Sequence, residues 1–347
     1  MDRFNSKQLT IVIVCITAFF ITMAVFTMVV GSDDSSSSKD RHLVIDGDGS
    51  DEGGRKYKFS DQDRSEGGGD SVVVNKPIEG DPYEELNDLI GLDEVKAEVR
   101  SLANFVKVQK QREAKGLKTP NLSYHLVFTG SPGTGKTTVA RIVARLYKDL
   151  GILKKGHLVE TDRSGLIGQY VGQTAPRVNA MCDSALNGVL FIDEAYAITQ
   201  SESGNDYGAE AVATLLKRME DDRDRLVVIV AGYTNEMKKF IDTNPGLQSR
   251  FNRYIHFPDY SSDDLYKIFR KYLKKNEYTI TKEAAAYLKD RLDYAVEHKD
   301  RNFGNARFVR NVFEKTIQAQ ANRIAKAGKV PDNELVEITL ADVKNAI

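Results

Sequence analysis

The stretch "HLVFTGSPGTGKTTVARIVARLYKDL", from His125 to Leu150, limits the possible folds more than any other part of the chain. An apolar run of strand length passes directly into a segment whose apolar residues recur at helical spacing. The joint between them is Gly130, Ser131, Pro132, Gly133, Thr134, Gly135, Lys136 and Thr137, the G-x4-G-K-[ST] phosphate loop in the strand-to-helix setting that its mechanism needs. Its glycines let backbone N–H groups close around phosphates, and the dipole of the following helix favours their charge. Lys136 is placed to reach the terminal phosphates and Thr137 to hold Mg2+, while Thr138 completes the cradle. ATP and Mg2+ are therefore the expected cofactors, and strand and helix in alternation predict an α/β domain with a mostly parallel sheet.

A second apolar strand, "GVLFIDEAY", ends in the adjacent carboxylates Asp193 and Glu194. In an open parallel sheet, ligands bind at the carboxyl edge, which is where this strand delivers them. Asp193 is expected to orient the magnesium shell through water, and Glu194 to polarise the attacking water. Without the upstream loop such a pair would read as solvated acids; with it, nucleotide hydrolysis is favoured. A third strand, "RLVVIVAGYTNEM", places Tyr233, Thr234 and Asn235 just past its end, and leaves open which of them faces the γ-phosphate or the water. Further on, "NPGLQSRFNRYIHFPDY" carries Arg250 and Arg253, which taken alone are ordinary surface arginines.

In this order and spacing, the motifs resemble those of the AAA+ ATPases. "GQYVGQTAP", "NPGLQSRF" and "GNARFVRNVFEKTIQAQ" are most similar to the stage V sporulation protein K group and the red-type Rubisco activases, over about Leu86 to Ala325. The resemblance implies a P-loop AAA+ nucleotide-binding domain at 81–259 and a helical lid at 260–347. It implies that Arg250 is an arginine finger completing a neighbouring subunit's site, with Arg253 the weaker choice, and that Arg307 is a lid arginine sensing the γ-phosphate. It also implies that the Leu89, Ile90 and Gly91 segment covers the adenine. A finger supplied from the next subunit requires an assembled homo-oligomer, by resemblance a hexamer. The residues support the lid independently: four segments after Tyr260 have amphipathic helical spacing, with "SSDD" and "TLAD" as amino-terminal caps.

The same resemblance bears on "LIGQYVGQTAP", where Tyr170, Val171 and Gly172 interrupt an otherwise polar loop. An aromatic in a loop usually packs into a satellite core. The resemblance instead implies a pore loop, whose aromatic grips a polypeptide through apolar contact without reading its sequence, while the glycines on either side let it move.

The amino terminus differs in character. After an eight-residue flank, Leu9 to Val30 carries no charge and is long enough to cross a bilayer as one helix. It is expected to be an anchor, because a cleaved signal would have a shorter apolar run and a small-residue cleavage pattern. Residues 31–80 are rich in serine, glycine and charge and read as a flexible linker. Arg3 and Lys7 before the apolar run and Lys39 and Arg41 after it leave the positive-inside rule with little weight. The need for ATP places the ATPase module on the cytosolic or organelle-matrix side of a single-pass membrane protein.

The net charge of -1 and the aromatic pore loop disfavour nucleic acid as partner. Cys15 and Cys182 leave no disulfide framework, and the basic run from Lys107 to Lys118 reads as a solvated helix face. The expected function is a membrane-anchored ATPase that remodels or threads a protein partner whose identity the sequence does not disclose. An ATP-gated scaffold and a nucleic-acid remodeller are the rival readings.

Overall fold

The structure, a computed structural model, describes residues 73–75, 80–120, 123–200, 207–327 and 331–347, all of them within the unit Gly68–Ile347. The expected membrane span at 9–30 and most of the linker lie outside the described residues. Among the described residues, no helix is long and apolar enough to cross a membrane.

Six strands form one sheet: Val73–Asn75 (β1), Leu126–Gly130 (β2), Leu158–Thr161 (β3), Gly188–Ile192 (β4), Leu226–Gly232 (β5) and Tyr254–Phe257 (β6). Their order is β1-β3-β4-β5-β2-β6, parallel throughout except that β1 runs antiparallel to β3. Because Val73 pairs with Glu160 and Asn75 with Leu158, regular structure begins inside the stretch read as linker. A three-residue strand joins by backbone pairing and leaves no apolar period to read.

Strands β2, β4 and β5 are buried along their whole length, as expected for parallel strands covered on both faces. Alternate side chains sort cleanly. Leu126, Phe128, Phe191 and Ile229 join one core, under the helices Pro82–Asn87 (α1), Asp93–Ala114 (α2) and Lys136–Asp149 (α3). Val127, Leu190, Val228 and Val230 join the other, and Arg163–Leu166 (α4), Thr174–Ser184 (α5), Tyr207–Asp221 (α6), Thr234–Asp242 (α7) and Pro245–Arg250 (α8) pack on that side. Cys182 of α5 is a buried thiol that burial pushes up to about 12, so it is inert.

The lid consists of Ser262–Lys275 (α9), Lys282–Glu297 (α10), Ala306–Ala327 (α11), Asp332–Val336 (α12) and Leu340–Lys344 (α13). Ser261 caps α9 by accepting from the Asp264 N–H, and Thr339 forms a capping box with Asp342, as the cap residues predict. The parallel pair Thr279–Ile280 (β7) and Glu337–Ile338 (β8), together with α12, adds to the four expected helices. Phe313 anchors the lid core against Phe269, Tyr272 and Tyr278, and Arg323 covers the 1% exposed Asp342. One continuous apolar cluster runs from the first face of the sheet through Leu265 and Phe269 to Val343. Lid and sheet therefore share a core.

His125, just before β2, is only 4% exposed; its Nδ1 accepts the Val228 N–H at 2.9 Å. Burial, reinforced by the charge of Arg250, pushes its pKa down to about 4. A histidine held neutral in the folded state contributes its full stability above the unfolded value near 6.5, and loses it as pH falls toward 4. We expect wild type to lose about 2 kcal/mol between pH 7 and pH 5 through this group. Guanidinium denaturation at the two pH values reads the loss, and His125→Gln should flatten it. Equal losses in both proteins would clear His125 of the role.

Candidate active site

The loop between β2 and α3 closes on itself before any ligand is considered. Gly135 caps α3 in a left-handed conformation with φ 96°. The Lys136 ammonium donates to the carbonyls of Gly130 and Ser131, both at 2.8 Å, and Thr134 Oγ1 donates to Ser131 O at 2.8 Å. Burial pushes the Lys136 ammonium below the usual lysine value, and the negative charges of Asp193 and Glu194 pull it back up. Two of the glycines answer to tertiary packing. A side-chain carbon at Gly130 would fall 2.2 Å from the Phe257 carbonyl oxygen in β6, and one at Gly133 would fall 2.1 Å from the Gly304 carbonyl oxygen of the lid.

Strand β4 ends at Ile192 and delivers Asp193 and Glu194, both exposed, beside this loop. Glu194 takes a left-handed conformation, φ 47° and ψ 42°, and starts a short 3-10 turn at Ala195–Thr199. For a residue other than glycine this costs roughly 1–3 kcal/mol. The Glu194 N–H donates to Asp193 Oδ1 at 3.0 Å, which orients that carboxylate.

A cavity of about 330 Å³ lies between these pieces, with Lys136, Thr137 and Thr138 on one side, Asp193 and Glu194 on another, and Arg307 from the lid. Tyr233, Tyr272 and Arg310 are also among the residues that line it. Of the three polar residues after β5, only Tyr233 lines this cavity; it also lines a neighbouring one together with Thr234, Asn235 and Ser131. Arg310 stands one helical turn beyond Arg307, a spacing that marks it as sharing that face of α11. Tyr272 carries no such signal, because packing alone brings α9 to the cavity.

Ile90 and Gly91 are not among the lining residues. Gly91, at φ 60°, sits where a side-chain carbon would lie 3.0 Å from the Asp264 carboxylate and 3.5 Å from the Tyr260 ring. The next residue, Leu92, is 3.6 Å from such a carbon on Gly135, so the segment flanks the phosphate loop at the junction with the lid.

Arg250 is also absent from the cavity of its own chain. Its guanidinium donates to Glu220 Oε2 of α6 at 2.9 Å, and its carbonyl accepts from Ser123 Oγ. Arg253 lies 4.5 Å above the ring of Phe105 in α2, a packing contact. The two arginines therefore have different surroundings.

Tyr170 is 68% and Val171 85% exposed, and neither belongs to either core, which excludes the satellite-core expectation. The stem beneath them is tight. Gly168 donates to the buried Thr174 Oγ1 at 3.2 Å and has no space for a side chain against Gln173, whereas Gly172, at φ 82°, has open space around it. Gly168 is thus a packing glycine, and Gly172 is the free one.

A phosphate loop opening a helix, a carboxylate pair two strands away across β5, and a lid arginine over the same cavity define a P-loop ATPase with a helical lid. Residues 126–259 match the ATPase family associated with various cellular activities (AAA), and residues 261–347 match the AAA lid domain. Stage V sporulation protein K of Bacillus subtilis (strain 168) is 40% identical over 263 residues, 75% of this chain and 80% of that protein. The chloroplastic ribulose bisphosphate carboxylase/oxygenase activase of Cyanidioschyzon merolae (strain NIES-3377 / 10D) is 43% identical over 258 residues, covering 74% and 87%. The chain is 43% identical over 283 residues to the ESX-3 secretion system protein EccA3 of Mycobacterium leprae (strain TN), covering 76% of itself but spanning only 44% of that relative. The crystal structure of the FIGL-1 AAA domain shares the fold, with a TM-score of 0.54 at 18% identity, over 79% of this chain and 84% of that one. The chain belongs to the AAA+ ATPases, with stage V sporulation protein K among its relatives, and is an ATP-binding ATPase.

Proposed function

We propose that this chain is a membrane-tethered ATPase that assembles into a hexameric ring and uses hydrolysis to thread or remodel a protein partner. One observation carries the reading: adjacent Tyr170 and Val171 stand exposed on a tightly held loop whose stem shares a second cavity with Glu194. Exposed apolar side chains on a rigid stem form a grip that needs only apolar partner surface. The secretion-system name of one relative and the activase name of another favour a protein as the substrate.

In this reading the backbone from Gly130 to Gly135 holds the phosphates, and Lys136 gives up its loop carbonyls to meet their charge. The Thr137 hydroxyl and the exposed Asp193 carboxylate, hard oxygen donors beside the cradle, are the residues that would hold Mg2+. When bound, the ion neutralises phosphate charge. Glu194 accepts a proton from the attacking water, Arg307 reaches the γ-phosphate from the lid, and Arg250 enters from the adjoining subunit. Ile90 and Gly91 cover the base. The apolar run at residues 9–30 anchors the ring.

Tyr170→Ala is expected to keep basal ATPase within about twofold, since the loop lies outside the phosphate cradle, and to lose stimulation by an unfolded polypeptide. Steady-state phosphate release with and without the polypeptide measures both. Stimulation by single-stranded DNA instead would transfer the substrate class to nucleic acid, and polypeptide stimulation retained by the variant would remove Tyr170 as the grip. Protease added to sealed cells or organelles should leave the module from Asp81 to Ile347 uncut; cleavage without permeabilisation would reverse the topology.

A further inference from the structure

Asn305 occupies the point where the lid meets the phosphate loop. It directly precedes α11, is fully buried, and holds a left-handed φ of 48°. Its Nδ2 donates to Asp259 Oδ1 at 2.9 Å, to Phe303 O at 3.1 Å and to Pro132 O at 3.3 Å, while its Oδ1 accepts the Tyr260 N–H at 2.9 Å. A single amide thus joins the phosphate loop, both residues at the domain junction and its own turn. Alongside it, the Ala306 N–H donates to Gly133 O at 3.1 Å, and the Tyr260 hydroxyl donates to Thr134 O at 3.4 Å. Arg307 follows two residues later and lines the nucleotide cavity.

An arginine has several rotatable bonds, so it reaches a phosphate reproducibly only if its backbone is fixed relative to that phosphate. The first turn of α11 has its fixed point at Asn305. Asp259 is already neutralised by Lys299 at 2.6 Å, so the uncharged amide donates to it without leaving a buried charge unpaired. We infer that Asn305 is a positioning residue: it ties the start of α11 to Pro132 and the 259–260 junction, so that Arg307 and the phosphate loop move as one body. This rests on the reading of Arg307 as a phosphate contact.

A double-mutant cycle in the full-length chain tests it. Asn305→Gly keeps the left-handed backbone and deletes the side-chain bonds. Asn305→Ala deletes the same side-chain bonds without adding a charge beside Asp259, and carries the cycle if the glycine variant does not fold. Arg307→Ala is expected to lower kcat about tenfold. Either Asn305 variant should lower kcat by a similar factor with little change in KM for ATP, and combining it with Arg307→Ala should lower kcat no further. Losses that multiply, or an Asn305 variant that changes only the melting temperature, would overturn the positioning role while leaving Arg307 in place. A silent Arg307→Ala would instead remove the Arg307 reading, and this inference with it.

Discussion

Lys136→Ala is expected to lose measurable ATP binding, while Glu194→Gln binds ATP nearly as wild type and hydrolyses it about 10²- to 10⁴-fold more slowly. Both side chains line one cavity, and the proposed roles differ. Lys136 is half-buried within the loop, its ammonium held by two loop carbonyls that the phosphates would replace as its partners. Removing it leaves those carbonyls and the incoming phosphate charge without a cation in a partly desolvated site. Glu194 is exposed and lies outside the cradle, so exchanging its carboxylate for an amide of the same shape removes only the proton acceptor. Titration with a fluorescent ATP analogue and single-turnover phosphate release separate the two effects. Full turnover by Glu194→Gln would remove it from the mechanism.

Arg250→Ala should leave ATP affinity within a few-fold of wild type and lower turnover about 10³-fold, the usual scale for a finger acting in trans. Arg250 does not line its own chain's cavity; it is held at 2.9 Å by Glu220, and its buried Nε has no hydrogen-bond partner among the described residues. Arg253, by contrast, is committed to Phe105. A partly exposed ion pair is worth at most about 1 kcal/mol, so its loss should barely move the melting temperature. Mixing Arg250→Ala with Glu194→Gln subunits creates interfaces that combine an intact carboxylate with an intact arginine, and activity should partly return. No recovery, with subunit exchange demonstrated, would leave the finger without support.

What could be read from the sequence was the chemistry written in contiguous residues. The loop from Gly130 to Thr137 and the Asp193–Glu194 pair each set their own local geometry, because a strand end and a helix start are determined by neighbours along the chain. The lid helices announced themselves through amphipathic spacing and through the caps at Ser261 and Thr339, which act within three or four residues. Strand β1 did not, since Val73–Asn75 is specified by its pairing with β3, far away in sequence.

The tertiary structure decided everything that depends on distant partners. Tyr233 was distinguished from Thr234 and Asn235 because it alone of the three also lines the cavity of Lys136 and Arg307, and Arg250 from Arg253 by Glu220 and Phe105. Tyr170 was taken out of the core by a stem that closes beneath it. Asn305 shows the same division within one residue: local sequence placed it before a helix, but its importance comes from Pro132, 173 residues away in the chain. Local propensity acts over a few residues through backbone sterics and hydrogen bonds, whereas a site is a meeting of side chains that only long-range packing can bring together.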